Sequence, residues 1–346
     1  MTQPGPSGPP PVPGPIRKWW LGARPRTLPA ALVPVVVGTA AAHARHVGHF
    51  GWSTGWTSYA TLTAGGPRLG PSVNAWWCAL GALVVALAIQ IGTNYANDYS
   101  DGIRGTDDAR VGPVRLTATG LASPGAVKRA AFLCFGAAAV VGLGLAWATS
   151  WWILLVGAAC LLAGWFYTGG PRPYGYAGLG EVFVFVFFGL VATVGTFFVQ
   201  SLRLDVWQVW AAAAMLGLLA TALLLANNLR DIATDTESGK QTLAVRVGRR
   251  TAGWLYAGCV KLPFVGAVVW GVLAVTCTIR TAWPVLLFLP VLAAPLAVAP
   301  LRLVLSDAEG RALLPVLAGT ARIQLVFGAL LAFAVWGTLL PGAVFG

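Results

Sequence analysis

The chain has 346 residues, of which 57% are hydrophobic and only 10% charged, and its mean hydropathy is +0.73. This composition indicates a polytopic membrane protein rather than a water-soluble enzyme. The formal net charge of +12 could suggest nucleic-acid binding, but the basic residues are distributed by membrane side, so we expect no nucleic-acid partner.

Residues 1–15 are rich in Pro and Gly and lack the basic-then-apolar order of a signal peptide, so they predict a disordered tail. For residues 16–346 we expect a single transmembrane domain. Its apolar runs, each of the roughly 20 residues that a crossing needs, predict an all-α bundle of nine transmembrane helices around a central cavity. The predicted spans cover about residues 27–49, 75–97, 127–148, 150–168, 180–200, 208–228, 253–275, 281–301 and 322–344.

Nine spans place the N-terminus and the connections after the even-numbered spans on one side of the membrane. That side holds most of the 23 Lys and Arg residues, whereas the opposite side holds Arg45, Arg68, Arg203 and Arg280. By the positive-inside rule the basic side is cytoplasmic. We therefore expect a multi-pass protein of the bacterial cell membrane, with the lipid bilayer around its spans.

Two acidic motifs follow apolar spans on the predicted cytoplasmic side: NYANDYSDGIRGTD at 94–107 and NNLRDIATD at 227–235. In the first, Asn94, Asp98 and Asp101 fall on one helical face, and the second repeats this arrangement. Carboxylates at the mouth of a membrane segment are costly, and hard oxygen ligands suit Mg²⁺ shared with a substrate phosphate. The candidate metal ligands are Asp98, Asp101, Asp107, Asp231 and Asp235, accompanied by Asn94, Asn97, Asn227 and Asn228.

Basic and aromatic residues flank these motifs. Arginine binds phosphate oxygens in a bidentate fork while carboxylates hold the metal, and aromatic rings stabilise a nearby positive centre. The candidate diphosphate-binding residues are Arg110, Arg115, Arg230 and Lys240. Tyr167 belongs to a Gly- and Pro-rich aromatic segment around Arg172, and Arg24 and Arg26 stand at the mouth of the first span, where they can meet an anionic substrate.

At these residues the sequence resembles the UbiA superfamily of intramembrane prenyltransferases, and within it the branch that uses 1,4-dihydroxy-2-naphthoate. The stretches that carry the resemblance are RPRTLPAALVPVVVG (24–38), NYANDYSDGIRGTDDARVGPVRLTATG (94–120), YTGGPRPYGYAGLGE (167–181) and NNLRDIATDTESGKQTLAVRVG (227–248). The similarity runs from about residue 17 to the last span. Many superfamily members have the third acid of the first motif closer than here, where Gly105 stands and the acid is Asp107. This longer spacing is similar to the naphthoate branch, and it leaves either Asp107 or Asp108 as the residue that reaches the metal.

The resemblance implies a Mg²⁺-dependent transfer of an all-trans polyprenyl group from polyprenyl diphosphate to 1,4-dihydroxy-2-naphthoate. Carbon dioxide and diphosphate are lost, and demethylmenaquinol forms for menaquinone synthesis. It implies that Mg²⁺ at Asp98, Asp101, Asp231 and Asp235 neutralises the departing diphosphate, and that faces such as Tyr167 stabilise an allylic cation. Arg24, Arg26 or Arg172 is then expected to anchor the acceptor carboxylate.

Two other classes of function compete with this interpretation. A related enzyme with another aromatic acceptor would carry the same motifs. A divalent-cation or anion transporter would also use intramembrane acids, but no polar residues continue the motifs toward the opposite side of the membrane. A purely structural membrane subunit leaves the two matching acidic loops unexplained.

Overall fold

The computed structural model describes residues 13–48, 75–105, 115–276 and 283–339. The longest predicted outer connection, together with Asp107, Asp108 and Arg110, lies outside these residues. Within them the chain is all-helical. The α-helices are α1 (Pro15–Gly22), α2 (Pro29–Gly48), α3 (Ala75–Ile103), α4 (Pro124–Ala148), α5 (Ile153–Phe166), α6 (Gly180–Val184), α7 (Ala192–Ser201), α8 (Trp207–Glu237), α9 (Leu243–Val275), α10 (Pro295–Val304) and α11 (Leu314–Leu339).

Six of the described helical segments are long and apolar enough to cross a membrane, and the number is eight if each of two bent pairs forms one span. The bent pairs are Pro15–Thr27 with Pro29–Ala44, at 59°, and Pro284–Ala293 with Pro295–Val304, at 43°. The remaining predicted span corresponds to α5, which has only 14 residues. The chain is a multi-pass membrane protein, but the described residues do not confirm the predicted count of nine full spans.

The long helix α8 lies at the centre of the bundle. It packs against α2, α7, α9 and α11, and 72% of its most apolar window is buried, the largest share among the described spans. Alanine and leucine dominate its buried positions, which lets neighbouring helices approach closely in a membrane. Because α8 ends in the second acidic motif, this central position brings the motif to the middle of one end of the bundle.

The span Gly180–Ser201 contains a π-helix, Phe185–Val191, between α6 and α7, and its turns are wider than those of an α-helix. A Cβ atom added at Gly189 would lie 2.5 Å from the Cα of Gly217 on α8, so only glycine allows this crossing. Widened turns of this kind occur mostly at functional sites. Here Phe187, Phe188 and Val191 of the same stretch line the central cavity.

Candidate active site

A cavity of about 690 Å³ is lined by residues from Arg24 to Thr242, which belong to α2 to α8 and to the segments beside them. Along α3 its lining runs from Ala82 to Asp101, a rise of about 28 Å at 1.5 Å per residue. Most of its polar residues lie at one end, and mainly aliphatic and aromatic side chains line the rest. The polar lining consists of Arg24, Thr27, Gln90, Thr93, Asn94, Asn97, Asp101, Arg115, Thr168, Thr196, Asn227, Asn228, Arg230, Asp235, Lys240 and Thr242, most of them at that end.

The first motif turns Asn94, Asn97 and Asp101 toward the cavity, but not Asp98. Asp98 is fully buried, and its two carboxylate oxygens accept hydrogen bonds from the backbone N–H groups of Leu116, at 2.7 Å, and Thr117, at 3.0 Å. Asn94, Asp98 and Asp101 share one broad face of α3, but Asp98 is the one of the three that does not line the cavity. The two hydrogen bonds that Asp98 accepts fix the turn at residues 115–120, which begins with Arg115.

Asp101 is the point where three parts of the chain meet at the polar end. Its Oδ1 accepts hydrogen bonds from the Tyr176 hydroxyl, at 2.5 Å, and from Lys240 Nζ, at 3.0 Å. Arg115 forms an ion pair with its Oδ2 at 3.7 Å. Lys240 also lies 4.8 Å from the centroid of the Tyr176 ring. The charge-assisted hydrogen bond of Lys240 is strong, and together with the longer ion pair of Arg115 it keeps both cations beside the first motif.

The second motif shows a similar division between its acids. Asp231 lies behind the cavity wall and accepts a bidentate pair of hydrogen bonds, both 2.6 Å, from Nε and Nη2 of Arg230. Arg230 lines the cavity, and its Nη1 is buried with no hydrogen-bond partner among the described residues. Asp235 also lines the cavity and accepts a long hydrogen bond, 3.5 Å, from Thr242.

Two neighbouring asparagines of α8 differ in their contacts. Asn227 donates to the Leu223 carbonyl at 3.2 Å, whereas Asn228 donates to the Glu181 carboxylate at 2.8 Å. Both line the cavity. On α3, Asn97 accepts a hydrogen bond from the Thr168 hydroxyl at 2.8 Å, which ties the first motif to the aromatic segment.

The described carboxylates do not form a ready-made metal centre. Across residues 13–48, 75–105, 115–276 and 283–339, no group of three or more His, Cys, Asp or Glu side chains is placed to hold a metal ion. Asp107, the predicted third acid of the first motif, is outside these ranges. What the structure brings to one cavity is a pair of carboxylates, Asp101 and Asp235, with asparagine oxygens around them.

The three arginines considered for the acceptor carboxylate occupy different places. Arg26 and Arg172 are exposed and do not line the cavity, whereas Arg24 does. Arg24 adopts φ 54°, in the left-handed region that non-glycine residues rarely adopt. Asn94 fixes the backbone at this position by donating to the carbonyl of Ala23 at 2.9 Å, while Arg24 donates to the Asn94 carbonyl at 3.4 Å.

Aromatic rings form the wall next to the polar end. Tyr167 and Tyr174 meet edge to face at 5.5 Å between ring centroids, and Tyr174 stacks on Phe183 at 4.0 Å. Burial raises the pKa of Tyr174 above its ordinary value, and its hydroxyl donates to the Ala163 carbonyl at 2.8 Å. The wall therefore carries no charge of its own and offers ring faces to the cavity.

Sequence reasoning missed two contacts of this site. Tyr176, in the aromatic segment around Arg172, donates to Asp101, and Glu181, at the end of the stretch 167–181, accepts from Asn228. The available signals were an acid within an apolar span and a tyrosine among glycines. Neither signal names a partner, because both partners lie far away in the sequence.

Comparison with known proteins identifies the family of this chain. The model of the UbiA prenyltransferase family matches residues 56–314, about three quarters of the chain. The chain belongs to the UbiA prenyltransferase family. Among its UbiA relatives, the 1,4-dihydroxy-2-naphthoate octaprenyltransferase of Mycobacterium tuberculosis is 45% identical over 325 residues, covering 94% of this chain and 97% of the relative.

Other relatives extend this similarity. The 1,4-dihydroxy-2-naphthoate octaprenyltransferase of Escherichia coli is 34% identical over 325 residues, covering 92% of this chain and 94% of that protein. The structure of a UbiA homologue from Archaeoglobus fulgidus bound to GPP and Mg²⁺ aligns with a TM-score of 0.58, at 15% identity, over 92% of this chain and 99% of that one. At this identity the alignment shows the fold, which is that of the UbiA family.

Proposed function

We propose that this protein transfers an all-trans polyprenyl group from polyprenyl diphosphate to 1,4-dihydroxy-2-naphthoate, with loss of carbon dioxide and diphosphate, to give demethylmenaquinol in menaquinone synthesis. The observation that carries the proposal is the cavity itself. It joins a polar end of carboxylates and cations to a long apolar channel, which suits a substrate with a diphosphate head and a hydrocarbon tail. The names of the two naphthoate-prenylating relatives support the acceptor.

Mg²⁺ fits the donor set that faces the cavity. Asp101 and Asp235 reach the polar end from α3 and α8, and Asn97 lies one turn before Asp101, so all these ligands are the oxygens that Mg²⁺ prefers. We propose that these residues hold the ion, with Asp107 as a further ligand. Bound there, Mg²⁺ would supply Lewis-acid charge to the diphosphate oxygens. Asp98 and Asp231 do not line the cavity and instead position Arg115 and Arg230, respectively.

We propose that three cations bind the diphosphate head. Arg115 and Lys240 are held at Asp101 by the contacts given above, and Arg230 lines the cavity with its guanidinium fixed by Asp231, while its buried Nη1 has no hydrogen-bond partner among the described residues. Pre-positioned donors stabilise the charge that develops on a leaving group without reorganising during the reaction. We propose Arg110, from the loop between the described ranges, as a further contact.

The proposed reaction balances without a net proton acceptor. The carbon–oxygen bond of the donor breaks and its electron pair leaves with the diphosphate. The ring carbon that bears the carboxylate attacks the allylic cation, and the electron pair of the bond to the carboxylate restores the aromatic ring as carbon dioxide departs from that carbon. Tyr167 contributes a ring face beside this carbon, where a cation is stabilised by the quadrupole, and the helices exclude water.

Arg24 is the cation that we propose for the acceptor carboxylate. Its guanidinium lines the cavity and makes one long hydrogen bond, to the Asn94 carbonyl, so most of its five donors remain available for a carboxylate. The backbone strain at φ 54° is the kind that persists at functional sites. Arg26 and Arg172 contribute instead to the basic rim, which we propose faces the cytoplasm of a bacterial cell.

The test is product formation by the purified protein in detergent. It would be given Mg²⁺, a long all-trans polyprenyl diphosphate and anaerobic 1,4-dihydroxy-2-naphthoate labelled in its carboxyl group. We expect labelled carbon dioxide and prenylated quinol, both lost in Asp101→Asn and Asp235→Asn. The control is Asp205→Asn, because Asp205 is exposed, forms an ion pair with Arg203 and does not line the cavity. Diphosphate cleavage without labelled carbon dioxide would show that the acceptor is wrong, and full activity in both variants would refute the site.

A further inference from the structure

Glu181 is a buried carboxylate that the reaction described above does not use. It opens the span Gly180–Ser201 and is 5% exposed. Its Oε1 accepts a hydrogen bond from Asn228 Nδ2 at 2.8 Å, while Oε2 is buried with no partner among the described residues. An acid inside a membrane segment is costly to bury. A residue that only packed the helix would carry that cost for a single hydrogen bond.

The contact decides how the Asn228 amide is oriented. A carboxylate accepts hydrogen bonds and cannot donate them, so the Asn228 nitrogen must face Glu181. The amide oxygen then forms the other arm of the group, and Asn228 lines the cavity. Asn228 thus presents a hydrogen-bond acceptor to whatever occupies the cavity at this depth.

Position along α8 separates Asn228 from the metal and the diphosphate. It precedes Asp235 by seven residues, which is a rise of about 10 Å, and Mg²⁺ ligands lie only about 2.1 Å from the ion. Asn228 and Asp235 therefore do not share one ion. An amide oxygen backed by a carboxylate is also a poor neighbour for an anionic diphosphate, which needs donors.

The neighbourhood of Asn228 is the aromatic wall. Gly180, next to Glu181, packs so closely that a Cβ there would lie 3.2 Å from the Tyr167 ring and 3.2 Å from Leu224, one turn before Asn228 on α8. In the proposed function the aromatic acceptor meets the allylic cation beside Tyr167, so an acceptor oxygen at this level would face the ring of that substrate. The group on such a ring that donates a hydrogen bond is a hydroxyl, because its carboxylate only accepts.

We propose that Asn228 Oδ1 accepts a hydrogen bond from a ring hydroxyl of the aromatic acceptor, and that Glu181 is the positioning residue that holds the amide in this orientation. The inference rests on the proposed function and deepens it, because it assigns recognition of the hydroxyl separately from recognition of the carboxylate at Arg24. A site built to bind a hydroxyl discriminates strongly against analogues that lack it, since its buried polar group is then left unpaired.

The experiment compares two ligands in matched variants. Binding of 1,4-dihydroxy-2-naphthoate and of hydroxyl-free 2-naphthoate to the purified protein is followed anaerobically by naphthalene fluorescence. In Asn228→Ala and Glu181→Ala we expect affinity for the dihydroxy acid to fall by about five- to tenfold, as for the loss of one hydrogen bond, with 2-naphthoate changed by less than about twofold. Glu181→Gln keeps an oxygen that can accept from Asn228 Nδ2 and should bind both acids as wild type does.

Gln200→Ala is the control variant. Gln200 is a buried amide on the same span, bonded to Thr39 at 3.1 Å and to the Thr196 carbonyl at 2.8 Å, and it does not line the cavity. Any general effect of a lost buried polar group appears there too. Equal losses for both acids in Asn228→Ala, or no rescue by Glu181→Gln, would overturn the assignment alone. Failure of the wild-type protein to bind or prenylate the dihydroxy acid would overturn the proposed function with it.

Discussion

Replacing Asp98 by Asn tests whether this acid positions a turn or binds the metal. In the wild-type protein the two carboxylate oxygens accept from the backbone N–H groups of Leu116 and Thr117, at 2.7 and 3.0 Å. Asparagine keeps one oxygen, and its amide nitrogen faces the second N–H group, so two donors meet in a fully buried place. An unsatisfied buried group costs about 1 to 3 kcal/mol, so the free energy of unfolding should fall by about 2 to 6 kcal/mol for the two groups.

The consequence for activity follows from what the turn carries. Arg115 begins this turn and pairs with Asp101, so disordering the turn removes a cation from the diphosphate site. If this whole free energy is lost from transition-state stabilisation, kcat/KM for the donor falls by no more than about four orders of magnitude, at about 1.4 kcal/mol per tenfold. The concentration of Mg²⁺ that gives half-maximal activity should change by less than about twofold, because no metal ligand is altered.

The assay measures thermal unfolding in detergent and a Mg²⁺ titration of activity for Asp98→Asn, Asp101→Asn and the exposed control Asp205→Asn. We expect the first variant to lose stability, the second to need at least about tenfold more Mg²⁺, and the control to match wild type. An Asp98→Asn protein of unchanged stability that needs as much extra Mg²⁺ as Asp101→Asn would refute the positioning role and restore Asp98 as a ligand.

Three further predictions concern the same cavity. Removing Mg²⁺ with a chelator should abolish transfer reversibly, and Asp235→Asn should behave as Asp101→Asn in the titration. Arg24→Gly should relieve the left-handed backbone and raise the free energy of unfolding by about 1 kcal/mol, while raising KM for the acid acceptor at least tenfold; Arg26→Gly, at an exposed position, should leave KM unchanged. Tyr167→Phe should keep most of kcat, whereas Tyr167→Leu should lose up to about 30-fold as the ring face disappears; equal losses in both would exclude the cation contact.

The class of the protein could be predicted from the sequence because hydropathy and charge act locally. Each apolar run identifies a span by its own composition, and the basic connections mark a side without reference to any distant residue. The two acidic motifs were recognisable for the same reason, since each lies within one helix end. The count of nine spans was less secure, because α5 is short and two other segments are bent.

The sequence alone could not decide which acid of the first motif faces the cavity. At 100° per residue, Asn97, Asp101, Asn94 and Asp98 lie at about −60°, −20°, 0° and 40° around α3. All four fit one broad face, and the rotation of α3 against its neighbours turns the last of them away from the cavity and toward the backbone of Leu116. Periodicity fixes the order of residues around a helix but not the direction in which the helix faces.

The sequence by itself determined a helical membrane protein with two acid-rich helix ends flanked by arginine and lysine. Only the tertiary structure decided that Arg24 rather than Arg26 or Arg172 reaches the cavity, that Tyr176 and Lys240 meet Asp101, and that Glu181 fixes Asn228. The physical reason is range. Span formation depends on neighbours within one helix, whereas these contacts join residues 47 to 139 positions apart and exist only once the helices have packed.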